Sequence, residues 1–236
     1  MKTKKINSFK EYLDLIDKLT AEKHQIILFR GQSDNSPLLP SIARKNPEIN
    51  TTKIEEEMLE ELRRRTQLTI KTHLSDSWEL LIYAQHFGMK TRLLDWSSNP
   101  LTALWFACSN EFKSTKDSYV YIFTADNSYL IDTKSKESPF STSKTRILRP
   151  ALNNERIIAQ SGWFTAHKYS KITNCFVQLE TNKDLKDKLI QIKIPSGLKP
   201  EILERLSIFG INSETLFPDI MGICNHLNWI YTNNPT

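Results

Sequence analysis

Apolar residues first recur at helical spacing at Phe9, Tyr12, Leu13, Ile16 and Leu19. Ser8 and Glu11 stand ahead of them at capping-box spacing, so the pattern predicts an amphipathic helix over residues 9–20. The next apolar run, Ile26-Ile27-Leu28-Phe29, is unbroken and rich in β-formers. It predicts a buried strand that stops at Arg30, before a loop holding Pro37 and Pro40. Thr52 and Glu55 repeat the capping-box spacing. Acidic residues fill the first turns, and Arg63-Arg64-Arg65 comes later, an order that suits the helix dipole. Ile54, Met58, Leu59 and Leu62 are the expected buried stripe of this helix. The Arg run reads as a solvated face, with nucleic acid as the alternative contact. Asp76 or Ser77 caps a third helix that runs to Phe87 and closes at Gly88.

Asn99-Pro100 opens a fourth helix with Leu101, Leu104, Trp105 and Cys108 on its apolar face. Beyond it the pattern turns to strands at 119–123, 174–179 and 189–194, the last ended by Pro195. Helices follow over 200–209, stopped by Gly210, and over 219–229. The expected fold is therefore α+β, with a helical N-terminal half and strands mostly in the second half. No internal repeat divides the chain. Thr133 to Thr145, rich in Ser, Lys and Thr, is the one linker-like stretch, so residues 1–236 read as a single domain.

Composition narrows the class. With 236 residues, 39% hydrophobic and 25% charged, the chain is not a disordered one. No apolar run approaches the roughly 18 residues of a membrane span, and polar residues follow the basic Met1–Lys5 where a signal peptide would be apolar. A cytoplasmic protein with no membrane contact is expected. The three cysteines, Cys108, Cys175 and Cys224, form no CxxC pair and read as inert buried thiols. His24, His73, His167 and His226 have no partner at ligand spacing, so no metal is expected. GxGxxG and Walker A sequences are both missing. The net charge of +5 permits a polyanionic partner.

Three polar knots interrupt apolar surroundings. At the mouth of the first strand, Arg30 has a fork suited to bidentate capture of a carboxylate or phosphate. Gly31 beside it permits close approach of backbone or ligand. In Arg92-Leu93-Leu94-Asp95-Trp96, Arg92 is expected to pair with Asp95 as an internal bolt beneath the cleft. In Asn212-Ser213-Glu214-Thr215-Leu216-Phe217-Pro218, Glu214 stands just before an apolar stretch.

These segments carry a resemblance. Phe29-Arg30-Gly31-Gln32, Leu39-Pro40-Ser41 with Arg44, Gln85 through Trp96 and Ala103-Leu104-Trp105-Phe106-Ala107 resemble the FRG-domain family. Arg156-Ile157, Gln160 through Thr165 and Gly210 through Asp219 extend the likeness over roughly residues 26–227. A more distant resemblance is to ADP-ribosyltransferases, through Arg30-Gly31 after an early strand and the late Glu214-x-Leu216-aromatic-Pro. It implies an α+β core of two packed antiparallel sheets holding NAD, with Glu214 catalytic.

It also implies that Arg30, Gly31, Gln32, Arg92, Gln160, Trp163 and Phe164 bind the cofactor, without metal. Gln160–Thr165 is the preferred middle element and Phe140-Ser141-Thr142-Ser143 the other candidate. Asn212 stands where the superfamily has a second acidic residue or Gln. The resemblance further implies a bacterial toxin or phage-defence effector, with an antitoxin protein as a partner. Its acceptor would be a nucleic acid (RNA favoured) or a protein. The alternative is an inactive module that binds a nucleotide, nucleic acid or protein.

Overall fold

The computed structural model describes residues 1–21, 26–68, 76–109, 115–132 and 137–233. His24, His73 and the first residues of the linker-like stretch lie outside them. The chain begins with strand β1 (Lys2–Lys5), helix α1 (Phe9–Thr20), strand β2 (Ile26–Gln32), helices α2 (Thr52–Arg65) and α3 (Ser77–His86), and strand β3 (Leu93–Ser97). Helix α4 (Pro100–Cys108), strand β4 (Ser118–Ala125), strand β5 (Arg146–Leu148), helix α5 (Glu155–Ala159) and strands β6 (Gly162–Ala166), β7 (Tyr169–Ser170) and β8 (Cys175–Phe176) follow. Strand β9 (Leu189–Ile194) and helices α6 (Lys199–Ile208), α7 (Ser213–Leu216) and α8 (Ile220–Asn233) complete the order. No helix among the described residues is long and apolar enough to cross a membrane.

The α+β class holds, but the first half is not helical: β1, β2 and β3 alternate with α1–α4. The two strands missed in the first half, β1 and β3, each have a physical cause. β1 is an edge strand of exposed residues, Lys-Thr-Lys-Lys, so hydrophobic patterning misses it; such lysines blunt edge-to-edge pairing. β3 carries the exposed Asp95 between buried leucines and Trp96, which disguises it as a polar knot. The expected strand over 174–179 shrinks to Cys175–Phe176, paired with β7 in a two-stranded ribbon.

The expected pair of packed antiparallel sheets is instead one seven-stranded sheet, ordered β1-β9-β4-β2-β3-β6-β5. It is mixed, because β1 runs parallel to β9. β2 is registered with β4 over its whole length, from Ile26↔Ala125 to Gln32↔Tyr119. It is registered with β3 only at Phe29↔Ser97. The sheet therefore parts between β2 and β3. On one face of the β1–β2 half, Phe29, Val120, Ile122 and Ile192 bury against α1, α4 and α6. On the other face, Leu28, Tyr121, Phe123 and Leu189 pack with Leu38 and Leu185 from the loops and with Leu94, Trp96 and Ile147 of β3 and β5, so this core spans both halves of the sheet. The β3–β6–β5 half carries a further core with Leu59, Trp78 and Leu81 of α2 and α3.

Capping explains several of the helix starts. Ser8 Oγ accepts from Glu11 N at 3.1 Å, and the Glu11 carboxylate accepts from Asn7 N at 2.7 Å. Asn99 Oδ1 accepts from Leu101 N at 2.9 Å ahead of α4. The second expected capping box does not form. Thr51 is the N-cap of α2 and caps with no side-chain bond. Glu55 turns inward, fully buried at 0% exposure, and accepts from Arg92 N at 2.6 Å and Arg92 Nε at 2.8 Å. Ile54 is 52% exposed, so the buried stripe of α2 centres on Glu55 and Leu59. Arg63, Arg64 and Arg65 lie toward solvent and pair with Glu60 and Glu61, consistent with a solvated face.

The Glu55–Arg92 pair replaces the expected Arg92–Asp95 bolt. In extended backbone, side chains three residues apart point to opposite faces, so Arg92 and Asp95 diverge. Arg92 is 1% exposed; its Nη1 donates to Pro139 O at 3.4 Å and its guanidinium lies 4.5 Å from the Phe140 ring. Burial raises the Glu55 carboxyl above its usual range, with Arg92 opposing the rise. Removing one partner strands a charge in the interior. Arg92→Met is therefore expected to lower stability by about 3–5 kcal/mol, while Glu55→Leu/Arg92→Met recovers most of the loss. Urea unfolding of the single and double variants measures both effects.

Candidate functional site

Where the sheet parts, a cleft of about 350 Å³ opens between β2, β3 and β6, with α3, α4 and α5 around it. Gly31 forms part of the wall for a steric reason. A Cβ there would lie 1.9 Å from the Ala103 carbonyl oxygen and 2.5 Å from the Ala107 nitrogen. The close approach it permits is that of α4 backbone. α4 thus lies flush on β2 and sends Phe106 into the cleft lining.

Arg30 is held in place. Its Nε donates to Gln32 Oε1 at 3.0 Å and its Nη1 to the Asp95 carbonyl at 2.7 Å. Gln32 is fixed in turn, because its Nε2 donates to Ser36 O at 2.8 Å. Burial lowers the Arg30 guanidinium to about 10, with Asp95 opposing and Arg44 adding to the fall. It remains cationic at neutral pH. The Asp95 carboxylate lies 3.9 Å from Arg30 Nη1, with its side chain 60% exposed. Gln85 Nε2 is 3.2 Å from both Asp95 oxygens, and Gln85 Oε1 accepts from the buried Thr91 hydroxyl at 2.6 Å. A chain of hydrogen bonds therefore runs from Thr91 through Gln85 to Asp95, and Arg30 ties β2 to it.

The far wall comes from α5 and β6. Gln160 caps α5, accepts from Ser97 Oγ at 2.7 Å through its carbonyl, and donates through Nε2 to Leu216 O at 3.0 Å. Arg156 lies over the Phe217 ring at 4.4 Å, and Arg149 over the Trp163 ring at 5.4 Å. His86 is held below its ordinary value, by burial first and then by Arg156, with Asp219 opposing. The cleft thus combines two arginines, one carboxylate and the aromatic surfaces of Phe106 and Trp163. That set suits a ligand with both anionic groups and flat rings.

Five of the expected cofactor residues, Arg30, Gly31, Gln160, Trp163 and Phe164, line this cleft. Gln32 stands behind Arg30 and orients it. Arg92 is outside the lining, committed to Glu55 in the interior. Glu214 sits on the first turn of α7, exposed, and is not among the lining residues. Asn212, placed by the resemblance at an acidic or Gln position, is the N-cap of that turn, accepting from Thr215 N at 3.0 Å. The Phe140–Ser143 segment covers Arg92 and is also outside the lining. The sequence reading assigned no ligand role to Gln85, His86, Asp95, Phe106 or Arg156. All five lie within the family-like segments, which was the available signal.

Residues 25–116 match the FRG domain. The matched FRG segment holds Arg30, Gln85, Asp95 and Phe106, so it supplies the β2, α3, β3 and α4 walls of the cleft. Arg156, Gln160 and Trp163 lie beyond it. No curated protein and no solved structure matches the chain.

His167 is 1% exposed, with Nε2 3.1 Å from Thr165 Oγ1. Trp96 Nε1 donates to the same hydroxyl at 3.0 Å. Burial, with Arg30 and Arg92 nearby, lowers the imidazole to about 3. The unfolded chain, near its ordinary 6.5, binds a proton first as pH falls. The stabilisation from the neutral ring is therefore complete above about pH 6.5 and is lost as pH falls toward 3. Relative to His167→Gln, the wild type is expected to lose about 1.4 kcal/mol per pH unit between roughly pH 6 and 4. Urea melts of both proteins across that range measure the difference.

Proposed function

We propose that the cleft binds NAD and that the protein transfers ADP-ribose from it to a nucleic acid, RNA being favoured. The observation that carries this reading is Arg30, fixed by Gln32 and the Asp95 carbonyl on the wall of a cleft that Trp163 and Phe106 also line. A guanidinium so fixed suits a diphosphate, and the aromatic faces suit adenine or nicotinamide. Parting of the sheet at β2 and β3 opens the cleft that the dinucleotide would occupy.

Arg149 and Arg156, each stacked on an aromatic ring, offer cations at the same wall for an acceptor's phosphates. A toxin or phage-defence role, with an antitoxin partner, rests on the resemblance to such transferases alone. A second reading, an inactive module that binds a nucleotide, is favoured by the exposed position of Glu214 outside the cleft lining.

Calorimetric titration with NAD is expected to show binding, weakened roughly tenfold or more in Arg30→Ala, because a charge-assisted hydrogen bond contributes about 1.5–3 kcal/mol. Labelled NAD incubated with RNA, single-stranded DNA and cytosolic protein is expected to leave nuclease-sensitive label in the RNA. Label confined to the protein fraction replaces the acceptor class. Binding without release of nicotinamide selects the second reading, and no binding of NAD overturns both uses of the dinucleotide.

A further inference from the structure

We propose that Asp95 is the carboxylate that faces the reacting ribose, an inference that rests on the reading of the cleft as an NAD site. Among the described residues lining the cleft, Asp95 is the one Asp or Glu. The other charged side chains there, Arg30 and Arg156, are the ones that attract phosphate. A carboxylate in the same cavity repels the diphosphate. It is favourable beside a cation: Arg30 lies 3.9 Å from it, and NAD supplies a second in the nicotinamide ring and in the ribose as the ring departs.

Asp95 is preorganised for that position. Gln85 bridges both of its oxygens at 3.2 Å, and buried Thr91 fixes Gln85 at 2.6 Å. Its side chain nevertheless stays open to the cleft, and the 3.9 Å gap to Arg30 is too long for a hydrogen bond. Contrast Glu55, whose oxygens are consumed by Arg92 in the interior. Glu214 is exposed on α7 and is not among the lining residues.

In the step assigned to this site, the bond between ribose C1′ and the nicotinamide nitrogen breaks. Its electron pair leaves with nicotinamide, which departs neutral. A new bond joins C1′ to an acceptor oxygen or nitrogen, and the acceptor's proton passes to Asp95 or to water. The negative charge of Asp95 opposes the positive charge that develops on C1′ and the ring oxygen between those events.

Asp95→Asn and Glu214→Gln are compared with the wild type by NAD titration and by single-turnover release of nicotinamide at saturating NAD. Asp95→Asn is expected to melt like the wild type and to bind NAD within about threefold, while release slows roughly 100-fold or more. If Asp95→Asn weakens binding but leaves the saturated rate intact, Asp95 only positions Arg30 and the inference is overturned. Loss of release in Glu214→Gln with Asp95→Asn near wild type overturns it as well. A wild type that binds no NAD overturns the dinucleotide reading itself, an outcome that the binding arm separates from the other two.

Discussion

The contact between Gly31 and the α4 backbone governs the geometry around it. β2 lies between β4 and β3 in the sheet, and α4 rests on it with no space for even a methyl group. Only Ser98 and Asn99 separate the end of β3 from α4, and the Asn99 cap and Pro100 fix where the helix begins. One short helix is thus tied to β3 by the chain and to β2 by steric fit. Those are the two strands that part, so α4 sets how far apart the cleft walls stand. Phe106 reaches the cleft as a consequence of the same packing.

Two arginine–carboxylate pairs flank β3 and differ in solvent access. Glu55 and Arg92 are dry, mutually hydrogen-bonded and capped by Phe140, so their charges cancel within the fold. Such a pair costs desolvation on both partners and contributes register more than net stability. Arg30 and Asp95 lie at the cleft, joined chiefly through the Asp95 carbonyl. Their side-chain charges therefore stay available to a ligand. Similar residue types serve as scaffold in one place and as surface chemistry a few ångströms of chain away.

Local rules were readable wherever one local signal decided the outcome. α1 over Phe9–Thr20 and α4 after Asn99-Pro100 follow from periodicity and caps, and β9 follows from its apolar run before Pro195. Where a long-range partner competed, local rules failed. Thr52 and Glu55 have capping-box spacing, yet the buried Arg92 draws Glu55 inward. At Ser213-Glu214-Thr215-Leu216 the overlooked signal was local: the Asn212 cap makes it a helical turn with Glu214 exposed. Arg30 was legible as a site residue because a cation at the end of a buried strand needs a partner. Asp95 was not, because its apparent mate in sequence, Arg92, faces elsewhere.

The single Phe29↔Ser97 register between β2 and β3 has a consequence for cooperativity. Backbone hydrogen bonds couple strands strongly only where they are continuous. On one face of the sheet the two halves bury into separate apolar cores, but on the other Leu28, Tyr121 and Phe123 share one core with Leu94, Trp96 and Ile147. The seam is therefore held by side-chain packing on one face in place of a continuous ladder. A ligand held by both Arg30 and Trp163 would span the seam and add to the coupling that the shared core supplies.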